Sequence, residues 1–301
     1  MLRSLARLRD GAAGILVALL LSLVAHGADL QLPPLNDPPT GLHLSGKLVW
    51  ADLVTPDPDA ARRFYGKLFG WTFTSVGSGQ GAYALAHLDG TAIAGIVRRA
   101  NLAAERSRSR WIPFMSVRDV SATERAVSHA GGKALVATRT MPDRGTLGLF
   151  ADPEGAVFGA LDSASGDPGD YLPEVGDWIW AQLLSRDADK AASFYAGLAD
   201  YVVVEAEQQS ALSRSVLLTR DGYARASILQ IPSGHDDLRP DWLLYVRVAD
   251  VNKASASAEQ LGGRVLLAAK PELYQGRVAV IADPNGAPVG LLQWDAIGEA
   301  K

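Results

Sequence analysis

Apolar and polar positions alternate along the chain in a pattern that restarts several times. Residues 48–54 (LVWADLV) read as a strand that sets Trp50 and Asp52 on one face. Asp57, between two prolines, is placed to cap a helix carrying Ala60, Ala61, Phe64 and Leu68 at helical spacing. Three strand-like runs follow at 71–76, 82–88 and 91–98, which gives the order βαβββ. The order begins again with a strand at 111–117 and a helix from Asp119 to about Ala130 that ends at Gly131-Gly132. Strands near 133–137, 146–151 and 156–161 complete it.

All of this then recurs. Leu48 to Trp71 matches Trp178 to Tyr201 at an offset of 130, with Trp50 over Trp180, Asp57 over Asp187 and Phe64-Tyr65 over Phe194-Tyr195. Val117-Arg118-Asp119-Val120 answers Val248-Ala249-Asp250-Val251, Gly131-Gly132 answers Gly262-Gly263, and Asp152-Pro153-Glu154-Gly155-Ala156 answers Asp283-Pro284-Asn285-Gly286-Ala287, at 131. The chain is a tandem duplication of four βαβββ modules, and helices set among antiparallel hairpins make it α+β. Residues 162–176, rich in Gly, Pro, Ser and Asp without an apolar period, form the expected linker.

The N-terminus has a different pattern. Arg3, Arg7 and Arg9 precede an uncharged run over 11–25 and the small-residue site Ala25-His26-Gly27, the form of a secretory signal. That run is shorter than the ~20 apolar residues of a comfortable membrane span, although an uncleaved anchor is the alternative. The expected organisation is a signal peptide at 1–28, a Pro-rich extended tether at 29–45, domains at 46–161 and 177–295 around the linker, and a tail at 296–301. The expected location is the periplasm or the extracellular space, with no stable membrane span after cleavage.

Composition narrows the chemistry. A length of 301 residues suits about two domains, and 48% hydrophobic with 21% charged residues suits a globular body. The net charge of -4 and the lack of a basic stripe argue against nucleic acid as a partner. The absence of cysteine removes disulfides, thiolate nucleophiles and Cys-based metal sites. The Gly pairs and Asp-Pro-x-Gly segments read as turns, the Phe-Tyr pairs as helix-to-sheet packing, and no nucleotide cradle or serine elbow is present.

The ordered set W-x-x-L-x-x-x-D-x-x-x-A-x-x-FY, V-x-D-V with a Gly pair, and DP-x-GA, present twice (with Arg118-Asp119 and Ala249-Asp250 in the V-x-D-V segments), resembles the vicinal oxygen chelate superfamily. That superfamily includes glyoxalase I, extradiol dioxygenases and bleomycin-resistance proteins. The resemblance implies tandem glyoxalase-like domains, each pairing two modules into a curved mixed sheet around a cup. It also implies ligand positions for a metal, which fall here on Trp50, about Ile112 and Gly159, and on Trp180, about Leu243 and Gly290. None of these side chains donates a lone pair, so no metal and no other cofactor is expected. His87 with Asp89, and His235-Asp236-Asp237, read as solvated turns.

With the superfamily's orientation, the cups are floored by Trp50, Asp52, Phe114 and Ser116 in the first copy and by Trp180, Gln182, Tyr245 and Arg247 in the second. The first set favours a neutral or cationic ligand near Asp52, the second an anion near Arg247. The same tryptophans serve equally as core residues sealing the cup, Asp52 as a hydrogen-bond acceptor for a neighbouring strand, and Arg247 as a surface residue. Three functions remain open: a metal-free small-molecule binder, a lyase, isomerase or dioxygenase of the glyoxalase type with a rearranged metal site, and a scaffold with closed cups. The chain is expected as a monomer or homodimer.

Overall fold

The computed structural model describes residues 31–77, 83–99, 109–206, 214–235 and 237–295. The signal-like segment, the tail and Asp236 lie outside them. The first copy runs β1 (Leu48–Thr55), α1 (Pro58–Phe69), β2 (Thr72–Val76), β3 (Tyr83–Leu88), β4 (Thr91–Arg98), β5 (Arg110–Ser116), α2 (Val120–His129), β6 (Lys133–Met141), β7 (Gly145–Ala151) and β8 (Val157–Ser163). The second runs β9 (Trp178–Ser185), α3 (Ala188–Ala199), β10 (Val202–Glu205), β11 (Ser215–Arg220), β12 (Tyr223–Gln230), β13 (Asp241–Val248), α4 (Val251–Gln260), β14 (Arg264–Leu267), β15 (Val278–Ala282) and β16 (Pro288–Gln293).

Each helix begins where an aspartate supplies an acceptor. Asp57 Oδ1 accepts from the Asp59 and Ala60 amides, Asp119 from Ala122, Asp187 from Lys190, and Asp250 from Asn252 and Lys253. Pro58, in the first turn, needs no backbone partner there, and Gly70 closes α1 at φ 78°, a conformation glycine adopts without strain.

The modules pair within each copy into an eight-stranded mixed sheet of order β2-β3-β4-β1-β5-β8-β7-β6, repeated as β10-β11-β12-β9-β13-β16-β15-β14. The two first strands of the modules, β1 and β5, run antiparallel side by side at the centre, with Trp50 opposite Phe114; β9 and β13 set Trp180 opposite Tyr245.

Strand alternation gives each sheet two unlike faces. Ala51, Leu53, Ala84, Ala86, Trp111 and Met115 point to the helix side and join Leu183, Leu218, Ile228, Trp242 and Leu244 in one continuous core spanning both copies. Within it α1 packs on α4, and α2 on α3. Trp111 and Trp178 meet at 4.9 Å between ring centroids, and Trp178 meets Trp71 at 5.5 Å. The copies thus share their largest apolar face and form one packed body rather than two independent beads.

Two connections are more ordered than their composition predicts. The proline-rich segment, expected as a free tether, has irregular backbone but is docked: Leu32 and Leu35 are buried, and the Asn36 amide donates to Ser165 Oγ at 2.9 Å. Prolines bar regular structure, yet the two leucines between them cover apolar surface of the first copy. In the linker, fully buried Asp167 accepts from the Leu44 amide at 2.5 Å and from Ser116 Oγ at 2.6 Å. Asp170 bridges the copies, accepting from Lys47 Nζ of the first and, through both oxygens, from Arg225 of the second.

Candidate functional site

The face of the first sheet away from the helices carries Trp50, Tyr83, Leu85, Ile112, Phe114, Leu147 and Leu149, and Leu32 and Leu35 pack into the same cluster. The polar groups among them form one network. The Trp50 indole donates to Asp52 Oδ1 at 2.9 Å and lies 3.1 Å from the Tyr83 hydroxyl, which also donates to Asp52 Oδ1. Burial raises the Asp52 carboxyl above the usual range, against the pull of the Tyr83 and Trp50 bonds and of Arg144. Burial also raises the Tyr83 phenol, and the adjacent Asp52 adds to that.

Above Trp50 lies a residue that sequence reasoning missed. The Arg144 guanidinium sits 4.2 Å from the Trp50 ring centroid, and the residue is only 2% exposed. Its Nε, Nη1 and Nη2 all lack a hydrogen-bond partner. Burial pulls its pKa down, while Tyr83 and Asp52 oppose the shift. Arginine still carries its proton at neutral pH, so this is a buried charge with no hydrogen bond, offset only in part by the Trp50 ring face and by the charge of Asp52. In the sequence Asp143-Arg144-Gly145 looks like a solvated turn. One repeat offset of 131 further on, the second copy has Gln275-Gly276.

The second copy's equivalent face holds a neutral network. Tyr245 Oη donates to Gln182 Oε1 at 2.9 Å, and Gln182 Nε2 and Trp180 Nε1 both reach Ser227 Oγ, at 3.2 and 2.9 Å. The apolar cluster there is small: Leu243, Tyr245 and Val278 are buried, and Trp180, Ile179 and Leu292 partly so.

Of the eight residues expected in the cups, Trp50, Asp52 and Phe114 come together in the first copy and Trp180, Gln182 and Tyr245 in the second. Ser116 and Arg247 do not join them. Ser116 serves the linker through Asp167, and buried Arg247 donates to the carbonyls of Trp294 and Pro173 at 2.9 and 2.8 Å. Arg247, expected beside Gln182 and Tyr245, is instead engaged by these carbonyls: strand parity placed the residue but not where its long side chain reaches. Among the described buried side chains, the arginine with no hydrogen-bond partner on any guanidinium nitrogen lies in the first copy.

The positions that the superfamily uses for a metal do not fit one here. A Cβ on Gly159 would fall 2.3 Å from the Phe114 ring, and one on Gly290 would fall 2.2 Å from the Tyr245 ring. The aromatic rings occupy the space a ligating side chain needs. Ile112 and Leu243 are buried hydrocarbon, and among the described residues no group of three or more His, Cys, Asp or Glu is arranged to hold an ion. His87 Nε2 lies 2.9 Å from Thr74 Oγ1 on the neighbouring strand.

A cavity of about 700 Å³ opens where the copies meet. It is lined by the starts of β1, β4, β9 and β12 and by the linker, including Trp50, Ile93, Trp178, Trp180, Tyr223 and Arg225. Its size lies within the range of small-molecule sites.

Two eight-stranded sheets of paired βαβββ modules, arranged in tandem, define the vicinal oxygen chelate architecture. The glyoxalase-like domain family matches residues 49–161 and again 180–292, and the chain belongs to that family. It is 29% identical, over 246 residues, to the putative glyoxylase CFP32 of Mycobacterium tuberculosis, covering 81% of this chain and 93% of that protein. It is 25% identical to the anthracycline biosynthesis protein DauV of Streptomyces sp. strain C5, over 82% of this chain and 93% of the relative. The fold is shared with 2,2',3-trihydroxybiphenyl 1,2-dioxygenase of Sphingomonas wittichii at a TM-score of 0.56 and 16% identity, covering 85% and 93% of the two chains. It is also shared with the Mn(II)-bound glyoxalase of Novosphingobium aromaticivorans at 0.54 and 13%, covering 83% and 82%. No helix of the described residues is long and apolar enough to cross a membrane.

Proposed function

We propose that this chain is an exported member of the family that binds a small molecule without the metal its architecture usually holds. The observation that carries the reading is the replacement of every inherited ligand position, with Phe114 and Tyr245 packed over the glycines where a carboxylate would stand. Lewis-acid chemistry needs several O or N donors converging on one point, and these residues offer none. What they do offer is aromatic surface with few oriented polar groups, including Trp50 and Trp180 at the cavity between the copies. Export rests on the basic start, short apolar run and small-residue site of residues 1–28.

The test is native mass spectrometry of protein purified from its own host envelope, joined to elemental analysis and a hemithioacetal isomerisation assay with added Zn²⁺, Ni²⁺, Mn²⁺ or Fe²⁺. A retained organic ligand with no stoichiometric metal supports the reading. Near-stoichiometric metal, or metal-dependent turnover, overturns it in favour of an enzyme with a rearranged site. A specific observation favours a scaffold as the second reading: Leu32 and Leu35 pack into the apolar cluster of the first copy's open face. Protein that retains nothing and binds nothing from host extract would support that reading.

A further inference from the structure

We propose that Arg144 is the anchor of an anion subsite in the first copy, built for the carboxylate of a small apolar monocarboxylic acid. The inference rests on the small-molecule reading and adds the ligand's chemical class.

The argument begins with hydrogen-bond supply. A guanidinium presents five N–H donors and no acceptor. Among the described buried side chains, Arg144 alone leaves all three guanidinium nitrogens without a partner. Asp52, whose charge reaches Arg144, makes no hydrogen bond to it: its Oδ1 accepts from the Trp50 indole and the Tyr83 hydroxyl instead. The guanidinium carbon sits 4.2 Å from the Trp50 ring centroid, and since the ring face offers its N–H groups no lone pair, the fork is left for a planar acceptor. A carboxylate matches that fork with two parallel bonds.

Charge selects among anions. One guanidinium balances one negative charge, and a dianion such as phosphate would leave excess charge beside Asp52. The surrounding side chains select the rest of the ligand: Leu85, Ile112, Phe114, Leu147 and Leu149 share the cluster with Trp50, so the body of the acid is hydrocarbon or aromatic. The second copy marks the contrast. It has Gln275 at the corresponding turn, and the Ser227, Gln182 and Tyr245 network there satisfies itself. The two copies are thus specialised, with the charged subsite only in the first.

Benzoate is the probe, with benzamide as its neutral isostere and chloride and inorganic phosphate at matched ionic strength as controls. The full chain, labelled with ¹⁵N, is followed at the Trp50 indole N–H signal, assigned by its loss in Trp50→Phe. Thermal unfolding is recorded in parallel. The expected result is a saturable benzoate shift, weaker for phosphate and chloride, with affinity falling by at least about tenfold in Arg144→Met, which keeps the apolar stem over Trp50. Arg144→Met without ligand should unfold at the same temperature as the parent or higher, because it deletes an unpaired buried charge.

A benzoate response no stronger than chloride, or one unchanged in Arg144→Met, overturns the proposal and leaves an adventitious ion only. If benzamide shifts Trp50 as strongly as benzoate in both proteins, the binding reading stands and the anion subsite falls. If no probe moves Trp50 and Arg144→Met is strongly destabilised, Arg144 is structural and the first copy loses both readings.

Discussion

The Tyr195 hydroxyl of the second copy donates to Asp152 Oδ2 of the first at 3.1 Å, while Asp152 Oδ1 accepts from the Glu154 and Ala156 amides of its own turn. The bond is repeated with the copies exchanged: Tyr65 donates to Asp283 Oδ2 at 3.3 Å, and Asp283 Oδ1 accepts from the Asn285 and Ala287 amides. Each tyrosine oxygen accepts in turn from an indole, Trp242 for Tyr195 at 3.0 Å and Trp111 for Tyr65 at 2.9 Å. The Phe-Tyr and Asp-Pro-x-Gly segments are therefore helix packing and turn chemistry, as their residue types imply, and also the two halves of one interface. The pairing is self-complementary, as across the twofold axis of a dimer, but lies within a single chain.

Tyr195→Phe leaves Asp152 Oδ2 and the Trp242 indole without their partner in a buried site. A loss of about 1–3 kcal/mol is expected, with a similar loss for Tyr65→Phe. The two sites share no partner, so the double variant should lose about the sum. Urea unfolding followed by circular dichroism measures this, and a strongly sub-additive double variant would contradict the picture of two equivalent bonds.

Restoring a ligating side chain should not restore a metal site. Gly159→Glu drives a side chain into the Phe114 ring and is expected to destabilise the chain by about 1–3 kcal/mol or more through overpacking, without metal uptake. Elemental analysis beside a thermal scan checks both parts; stoichiometric metal in this single variant would count against the filled-site account.

Burial raises the folded-state pKa of Asp52, so its contribution to stability is complete below the unfolded value near 3.8 and is lost as pH rises through the folded value. Asp52→Asn keeps an acceptor for Trp50 and Tyr83 but has no charge to desolvate. The variant should therefore gain on the parent as pH rises above about 4 and level off beyond the folded pKa. Paired thermal unfolding curves across that range decide it, and a pH-independent difference would show that Asp52 is not desolvated.

Asp170→Ala releases both Lys47 and Arg225. The Arg225 side chain is 5% exposed and bound through two nitrogens, whereas the Lys47 pair is more open to solvent. Discounting for that exposure, a cost of about 1–3 kcal/mol is expected, together with faster proteolysis of the linker. Unchanged stability and an unchanged cleavage rate would mean that the linker is held by other contacts alone.

The sequence by itself determined the duplication, the βαβββ order, the helix starts and the residue types at the positions where the resemblance implies metal ligands. Those features depend on local chemistry that repeats in register: an aspartate before each helix, alternation along each strand, Gly at positive φ, and side chains with or without lone pairs. Strand alternation also assembled Trp50, Asp52 and Phe114, and likewise Trp180, Gln182 and Tyr245, because adjacent strands transmit parity without a tertiary model. Only the tertiary structure decided the rest. Arg247 and Ser116 share that parity yet serve the linker, since where a side chain reaches depends on which segment crosses over it. Arg144 sits in a turn that composition marks as solvated, and it becomes a buried charge because the fold brings that hairpin over Trp50. The pairing of Tyr195 with Asp152 joins residues 43 apart in the sequence, and that of Tyr65 with Asp283 joins residues 218 apart; neither is encoded in any local pattern, because each forms only when two apolar faces seek cover and each copy finds the other.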